Sequence, residues 1–595
     1  MSPLVAYELC PAFPEAHLFE LSCRVETPDP AGQVFTLPAW IPGSYLIRDF
    51  ARHIVAIRAE AGGRPLALEK LDKARWRAAP AKAPVTVRYR VYAWDLSVRS
   101  AHLDTTHAFC NGTSVFLRPE GLAHLPCQVD ILPPPGPAHA DWQLATSLPR
   151  AGAAPWSFGR HAAADYEDLI DHPMEMGRFT RVDFAVQGIA HHLIVTGWPL
   201  FHQERLVRDL EAICAWQMAL FGPPALREPY LFLVLAVGSG YGGLEHRNAT
   251  ALICDRADLP PPGLADEACP AGYVRFLGLC SHEYFHRWNV KRIRPAAFLD
   301  LDLARERPTR LLWLFEGFTS YYDDLCLVRA GVISVPAYLE LLQKTITQVY
   351  QAPGHRVQSL EDSSFDAWIK YYRPDENTPN AVVSYYAKGA LLALCLDLAL
   401  RRQSAGRVSL DTLMRKLWQD LGDGRRGLAE DEIFARLAAL GGKALGQWLK
   451  AAVSGTEELP LARELAGAGV RLSWKADSEL PWLGIRLASE GSEAKLLQVL
   501  SGSPAEAAGL AAGDLLVALN GWRIGRQNLD TVLATLQPGV AVNCHYFRYD
   551  LLGETRITPA PAPRQTAVLE PRPGKAAQAK RQAWLGEPSR DAVKP

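Results

Sequence analysis

The sequence predicts a multidomain α+β protein, and three observations carry that reading. The first stretch alternates apolar and polar residues between Pro/Gly punctuators. The middle repeats apolar residues at helical spacing, and short strand-like runs with Gly-containing turns return towards the C-terminus. At roughly 100–200 residues per domain, 595 residues allow about three to five domains. With 48% hydrophobic and 21% charged residues, the chain has the means to bury large cores.

Val85–Tyr92 (VTVRYRVY) is the clearest half-buried strand of the β-rich first part. Phe35–Trp40, His53–Ala59 and Thr113–Leu117 are expected as further strands, and the Pro-rich Leu132–Ala138 as a loop or extended connector. The character changes near Asp165. Glu204–Phe221 has helical spacing, and Tyr230–Val237 (YLFLVLAV) reads as a buried strand. Tyr273–Asn289, Leu311–Leu325, Pro336–Gln351 and Ser384–Arg401 follow as helices. After Thr456, strands at Lys495–Leu500, Leu515–Leu519 and Val540–Tyr546 surround one helix, Leu529–Leu536. The segment Pro559–Pro595, rich in Pro, Ala, Lys and Arg, is expected to be poorly ordered or laid over another domain. The expected division is 1–165, 166–465, 466–560 and a tail over 561–595.

Lys+Arg of 63 against Asp+Glu of 64 leaves a net charge of −1, which argues against a dedicated nucleic-acid or anionic-membrane binder. No apolar run approaches the roughly 18 residues that span a bilayer. The N-terminus has neither a basic n-region nor a long apolar h-region. Eleven scattered cysteines without a CxxC pair fit thiols kept reduced. The expectation is a cytoplasmic protein with neither nucleic acid nor membrane as a partner.

The most informative segment is His282-Glu283-Tyr284-Phe285-His286. Residues i and i+4 share a helix face, so His282 and His286 can bind one ion, with Glu283 on the neighbouring edge in reach of a water on that ion. Zinc takes His nitrogen and carboxylate oxygen, and a catalytic site keeps one position open. The third ligand expected is Glu316, an isolated acid in the apolar run LLWLFEGF, where an unpaired charge is costly. Asp323 and Asp324 are candidates for orienting a ligating His.

The segments HEYFHRWNVKRIRP (His282–Pro295) and LWLFEGFTSYY (Leu312–Tyr322) resemble the gluzincin metallopeptidases, most closely the glycyl aminopeptidase family, M61. The resemblance extends to WIPGSYLIRDFARH (Trp40–His53), to DLIDHPMEMG (Asp168–Gly177) and to a C-terminal PDZ-like module. It implies a thermolysin-like catalytic domain and a preference for small N-terminal residues, Gly and Ala. GGLEHRN (Gly242–Asn248) is similar to the G-x-M-E-N exopeptidase motif of the wider group, with Leu244 for Met and His246 for Asn. It implies that Glu245 holds the substrate's α-amine, while Gly242 and Gly243 let the backbone approach the peptide. SYYAKG resembles the Y-x-K-G segment, which implies that Tyr386 donates to the oxyanion, with Tyr385 as the fallback. Arg48 is read either as a substrate contact or as part of a structural ion pair.

Pro481–Ile485 resembles the carboxylate-binding loop of PDZ domains, and GSPAEAAGLAAGDLLVALNG (Gly502–Gly521) the body of bacterial-type PDZ modules. The implied partners are peptides with a free N-terminus at the zinc site and a peptide C-terminus at the PDZ-like module. A zinc endopeptidase, a PDZ scaffold on an inactive peptidase and a thiol enzyme using Cys280 are the alternatives. The first predicts that N-acetylated peptides are cleaved as well as free ones.

Overall fold

The computed structural model describes residues 4–586 and separates into two compact units. The first runs to Arg307 and takes in Ala330–Ile333 and Arg415–Leu428. The second comprises Pro308–Arg329, Ser334–Met414 and the chain from Ala429 onwards.

The first unit begins with a seven-stranded sheet made of β1 (Val5–Phe13), β2 (Leu18–Val25), β3 (Ile54–Ala61), β4 (Arg64–Leu66), β5 (Val85–Tyr92), β8 (Cys127–Ile131) and β10 (Gly159–Ala163), in the order β10-β8-β1-β2-β5-β3-β4. Its strands alternate buried and exposed positions, as VTVRYRVY predicts. A four-stranded sheet is built from β6 (Ala101–Leu103), β7 (His107–Cys110), β9 (Gln143–Thr146) and β11 (Met174–Gly177), in the order β9-β11-β7-β6.

Next comes a five-stranded sheet, β12 (Thr180–Val186), β13 (Ile189–Thr196), β14 (Tyr230–Val237), β15 (Gly242–Glu245) and β16 (Ala249–Asp255), in the order β12-β13-β14-β16-β15. β13, β14 and β16 run parallel, and β15 closes antiparallel on β16. β14 is buried along most of its length, which is why it reads as an unbroken apolar run. Helices α1 (Gln203–Phe221) and α2 (Ala271–Phe285) pack together here. Gln217 on α1 donates to the carbonyl of Ser281 (2.8 Å) and to its hydroxyl (3.0 Å) on α2.

In the second unit α3 (Leu312–Phe315) and α4 (Gly317–Arg329) lead to α5 (Val335–Gln351) and α6 (Ala387–Gln403). α4 and α6 cross where Gly317 faces Gly389. A Cβ on residue 317 would lie 2.6 Å from the Gly389 Cα, so the crossing demands glycine. The C-terminal part holds β17 (Val470–Lys475) and then a sheet of β18 (Ile485–Leu487), β19 (Ala494–Val499), β20 (Leu515–Leu519), β21 (Val542–Arg548) and β22 (Leu551–Ile557), with α7 (Leu529–Leu533) over it. Leu496, Leu516, Val532 and Cys544 belong to its own buried core.

Three segments differ from the sequence expectation. Thr113–Leu117 is a buried helical turn, Gly112–Val115, closed by the Ser114 hydroxyl donating to the Asn111 carbonyl (2.7 Å), a local bond that competes with strand pairing. The expected strand Phe35–Trp40 pairs only as Val34–Thr36, because Pro38 has no N–H to give. The segment after Pro559 is not poorly ordered as far as residue 586. Strand β23 (Thr566–Pro571) pairs with β17, and helix α8 (Lys575–Leu585) follows. Buried Trp584 anchors α8: its indole N–H donates to the Tyr321 hydroxyl (3.0 Å), and Arg329 donates to its carbonyl. The alternative, a segment laid over other elements, describes these residues, and residues 587–595 lie outside the described ones.

Candidate active site

α2 is predominantly apolar and buried, which fixes its rotation and holds the HExxH turn in place. Regular helix ends at Phe285, and His286 caps it while still donating its N–H to the His282 carbonyl (3.2 Å), so the i, i+4 relation survives. The two Nε2 atoms face one another at 3.1 Å. His286 Nδ1 lies 2.8 Å from the Asn289 carbonyl, which can only accept. The proton therefore sits on Nδ1, and Nε2 presents a lone pair towards His282, the tautomer a metal-ligating histidine needs.

Glu283 is buried beside β15. A Cβ on Gly243 would fall within the Glu283 carboxylate, so the glycine makes room for that side chain. β15 has β16 on one side only and is the edge of its sheet. Arg99 donates to the Gly243 carbonyl (3.3 Å). Glu245 ends the strand and is buried, with Gly43 of the WIPGS segment against it. A Cβ there would lie 2.5 Å from both carboxylate oxygens, and Gly43 has φ +93°. A cavity walled by Trp40, Ile41, Tyr45 and Phe298 opens on Glu245. Arg48 donates to the Ser44 hydroxyl (2.7 Å) within the same N-terminal segment.

The loop after Glu245 is clamped by the residues that follow the HExxH turn. Arg292 donates to the Arg247 carbonyl (3.0 Å) and to Asn248 Oδ1 (3.1 Å), and Arg294 pairs with Glu167 (3.0 Å). Lys291 reaches Asp171 (2.6 Å), which also faces His246 (3.4 Å). Burial alone would raise the Asp171 pKa, but the Lys291 ammonium, with His246 and Arg247, holds it well below the carboxylate range. Burial also lowers the His246 pKa, against the pull of Asp171. Segments 168–177, 242–248 and 282–295, which the sequence singled out separately, thus meet around one buried carboxylate. Sequence reasoning missed Gly43, Arg99, Asp171 and Lys291. All but Arg99 lie inside the quoted segments, so membership of those segments was the available signal.

In the second unit Glu316 sits between α3 and α4, buried among Trp313, Phe315 and Phe318. Its own φ is −98°, yet its N–H donates to Leu312 and its carbonyl accepts from Ser320, both at 2.8 Å, so the hydrogen-bond ladder runs through it. Burial raises the Tyr371 pKa, the Ser384 hydrogen bond lowers it, and the Glu316 charge adds to the rise. Tyr386 stands at the N-terminus of α6, half-buried, its hydroxyl 3.3 Å from that of Tyr372. Tyr385, stacked on it at 4.6 Å, is fully buried. Lys388 is buried, donates to the His355 carbonyl (3.1 Å), and its pKa falls to about 8 through burial. Asp323 and Asp324 lie on α4; burial raises the pKa of Tyr338, and their charges add to the rise.

Cys280 is fully buried, and burial lifts its thiol pKa well above the ordinary value, which disfavours the thiolate that a nucleophile needs. All eleven cysteines are free thiols, and no helix among the described residues is long and apolar enough to cross a membrane. In the C-terminal module Gly484 has φ +75°. The Trp482 N–H, one of the donors expected in a carboxylate nest, is given to the Ala560 carbonyl (2.7 Å).

The family model of the peptidase M61 N-terminal domain matches residues 6–178, that of M61 glycyl aminopeptidase residues 275–392, and a PDZ domain residues 496–542. A crystal structure described as an aminopeptidase N family protein from Idiomarina loihiensis is 39% identical, with a TM-score of 0.93, over 98% of this chain and 100% of that one. An M1 zinc metallopeptidase from Deinococcus radiodurans is 15% identical over 77% of this chain and 94% of its own, with a TM-score of 0.45. Native yeast LTA4 hydrolase is 12% identical over 78% and 70%, with a TM-score of 0.48. No curated protein matches. Fold and family matches together define a hydrolase of the metallopeptidase class. The chain belongs to the M61 glycyl aminopeptidase family and carries a PDZ domain.

Proposed function

We propose that this protein is a zinc-dependent aminopeptidase that removes small N-terminal residues, Gly and Ala, from peptides. The observation that carries the exopeptidase reading is Glu245, a buried carboxylate at the end of an edge strand, opening on an apolar cavity. A peptide α-amine, with a pKa near 8, is mostly cationic at neutral pH and would end its backbone pairing along β15 against Glu245.

His282, His286 and Glu316 are the proposed ligands, two imidazoles and a carboxylate that suit zinc. Support comes from the Nε2 nitrogen that His286 turns towards His282, and from Glu316, a carboxylate buried in an apolar run. Bound there, zinc would supply Lewis acidity and an acidified water. Glu283 takes the proton from the attacking water and returns it to the leaving amine. Tyr386 donates its hydroxyl proton towards the developing oxyanion, a role Tyr385 fits less well because it is fully buried. The walls at Trp40, Ile41 and Tyr45 would receive the first side chain, and the preference for Gly and Ala is the one the family resemblance implies. Free thiols throughout suit a reducing compartment, and a cytoplasmic location belongs to the proposal. So does a peptide C-terminus as the ligand of the PDZ domain.

Zinc analysis combined with Gly-, Ala-, Leu-, Lys- and acetyl-Ala-p-nitroanilides tests the reading. Stoichiometric zinc, cleavage of Gly and Ala substrates, and silence on acetyl-Ala are expected. Glu283→Gln should lower kcat by at least about 10³-fold with zinc retained. Equal cleavage of acetyl-Ala would turn the reading to an endopeptidase.

A further inference from the structure

We propose that the β6–β7 hairpin holds a second divalent-cation site, formed by His102, Asp104 and His107. Each offers one ligand atom, and the three atoms lie within 4.8 Å of one another. Asp104 is locked in the turn. Its Oδ1 accepts from the Thr106 N–H (2.6 Å), the Thr106 hydroxyl (2.6 Å) and the His107 N–H (3.0 Å), leaving Oδ2 to face His102 Nε2 at 3.1 Å. Two ligands of one tetrahedral ion stand roughly 3.3 Å apart, given metal–ligand bonds of about 2.0–2.1 Å.

His107 carries the outer partner that a ligating histidine has. Its Nδ1 lies 3.1 Å from Glu175 Oε1, which also accepts from the Thr196 hydroxyl (3.0 Å), so Nδ1 is the ring nitrogen held by the carboxylate and Nε2 is the one turned to a metal. The two imidazoles lie with centroids 5.1 Å apart, tilted by 30°, and are both buried. His102 Nε2 is the atom that faces Asp104, and its Nδ1 is buried with no hydrogen-bond partner in the protein. A cavity bounded by Trp94, Thr196 and Arg256 opens on the three residues and gives the ion a way in. Two imidazoles and one carboxylate select zinc or a similar first-row ion over calcium or magnesium. The hairpin follows Arg99, the residue that donates to the Gly243 carbonyl, so the ion would staple the segment supporting the β15 edge.

The site is tested independently of the peptidase site in full-length His282→Ala/His286→Ala protein, dialysed against zinc and assayed for metal content and melting temperature. About one tightly held zinc per chain and a melting temperature raised relative to the chelator-treated protein are expected. Both should vanish on adding Asp104→Asn, which keeps the acceptor for the turn, or His102→Gln. The two added variants should melt like their parent when all are in chelator, which shows that the fold is kept. Absence of zinc from the His282→Ala/His286→Ala protein overturns the proposal, as does zinc that persists after both added substitutions.

Discussion

Two glycines govern where the carboxylates of the site stand. Gly243 leaves the space that Glu283 fills, and Gly43 lies against both oxygens of Glu245. One methyl group at residue 243 must displace the proposed base. Gly243→Ala should therefore lower kcat/KM by about a hundredfold, the scale of a roughly 1 Å misplacement, with an unchanged circular dichroism spectrum. Lys388 yields a second expectation. Its pKa is depressed to about 8 in the fold against an ordinary value near 10.4, so the unfolded chain binds the extra proton between those values and stability rises with pH there. Below pH 8 the buried cation costs about 3 kcal/mol, a cost that fades as pH climbs past 8. The stability difference between Lys388→Met and wild type should shift in favour of wild type by about 2–3 kcal/mol from pH 7 to pH 10, read by denaturant titration. The residues of the HExxH turn were legible because chemistry fixes their spacing along one helix. Gly43 and Asp171 were not assignable, because their role lies in what comes near them from distant parts of the chain.

At the scale of elements, the loop carrying Glu245 owes its position to a clamp: Arg292, Arg294 and Lys291 follow the HExxH helix directly and grip the segment around Arg247, Asn248 and Asp171. Helix and loop are therefore tied to one another. Lys291→Met leaves Asp171 buried with weaker compensation and loosens the Glu245 loop, not the HExxH turn. KM for Gly-p-nitroanilide should rise on the order of tenfold while kcat changes less than about threefold, a split that steady-state kinetics resolves. Long periodic elements such as α1, β5 and β14 were legible to within a residue or two, because each buries one face or its whole length. Thr113–Leu117 was misread because five residues carry no period of their own, and the side-chain hydrogen bond at Asn111 decides their conformation.

For the whole molecule, the C-terminal segment is structural. β23 pairs with β17 along its length and is bound to α5, where Thr347 accepts from the Ala567 N–H (3.0 Å) and Gln343 from the Leu569 N–H (3.1 Å). Helix α8 buries Trp584 against Tyr338 and Tyr321. Truncation after Ala560 strips these contacts, the largest being a fully buried Trp worth about 3–5 kcal/mol. The truncated protein should melt several degrees lower, measurable by thermal denaturation followed by circular dichroism. Composition points to a segment either poorly ordered or laid over another domain, since it is rich in Pro, Ala, Lys and Arg. One aromatic residue and a strand partner almost a hundred residues upstream outweigh that bias.

The pairing of β17 with β23 has one more consequence. Lys475 and Thr566 are register partners, so the chain leaves the helical body and comes back to it at the same point, with the whole PDZ sheet threaded between. A tight hairpin turn of two residues could join those positions and seal the ribbon. Excising the PDZ fold or exchanging it for another module would leave the ribbon's backbone hydrogen bonds intact and give up the bonds that join Asn380 to Val499 and Ser501.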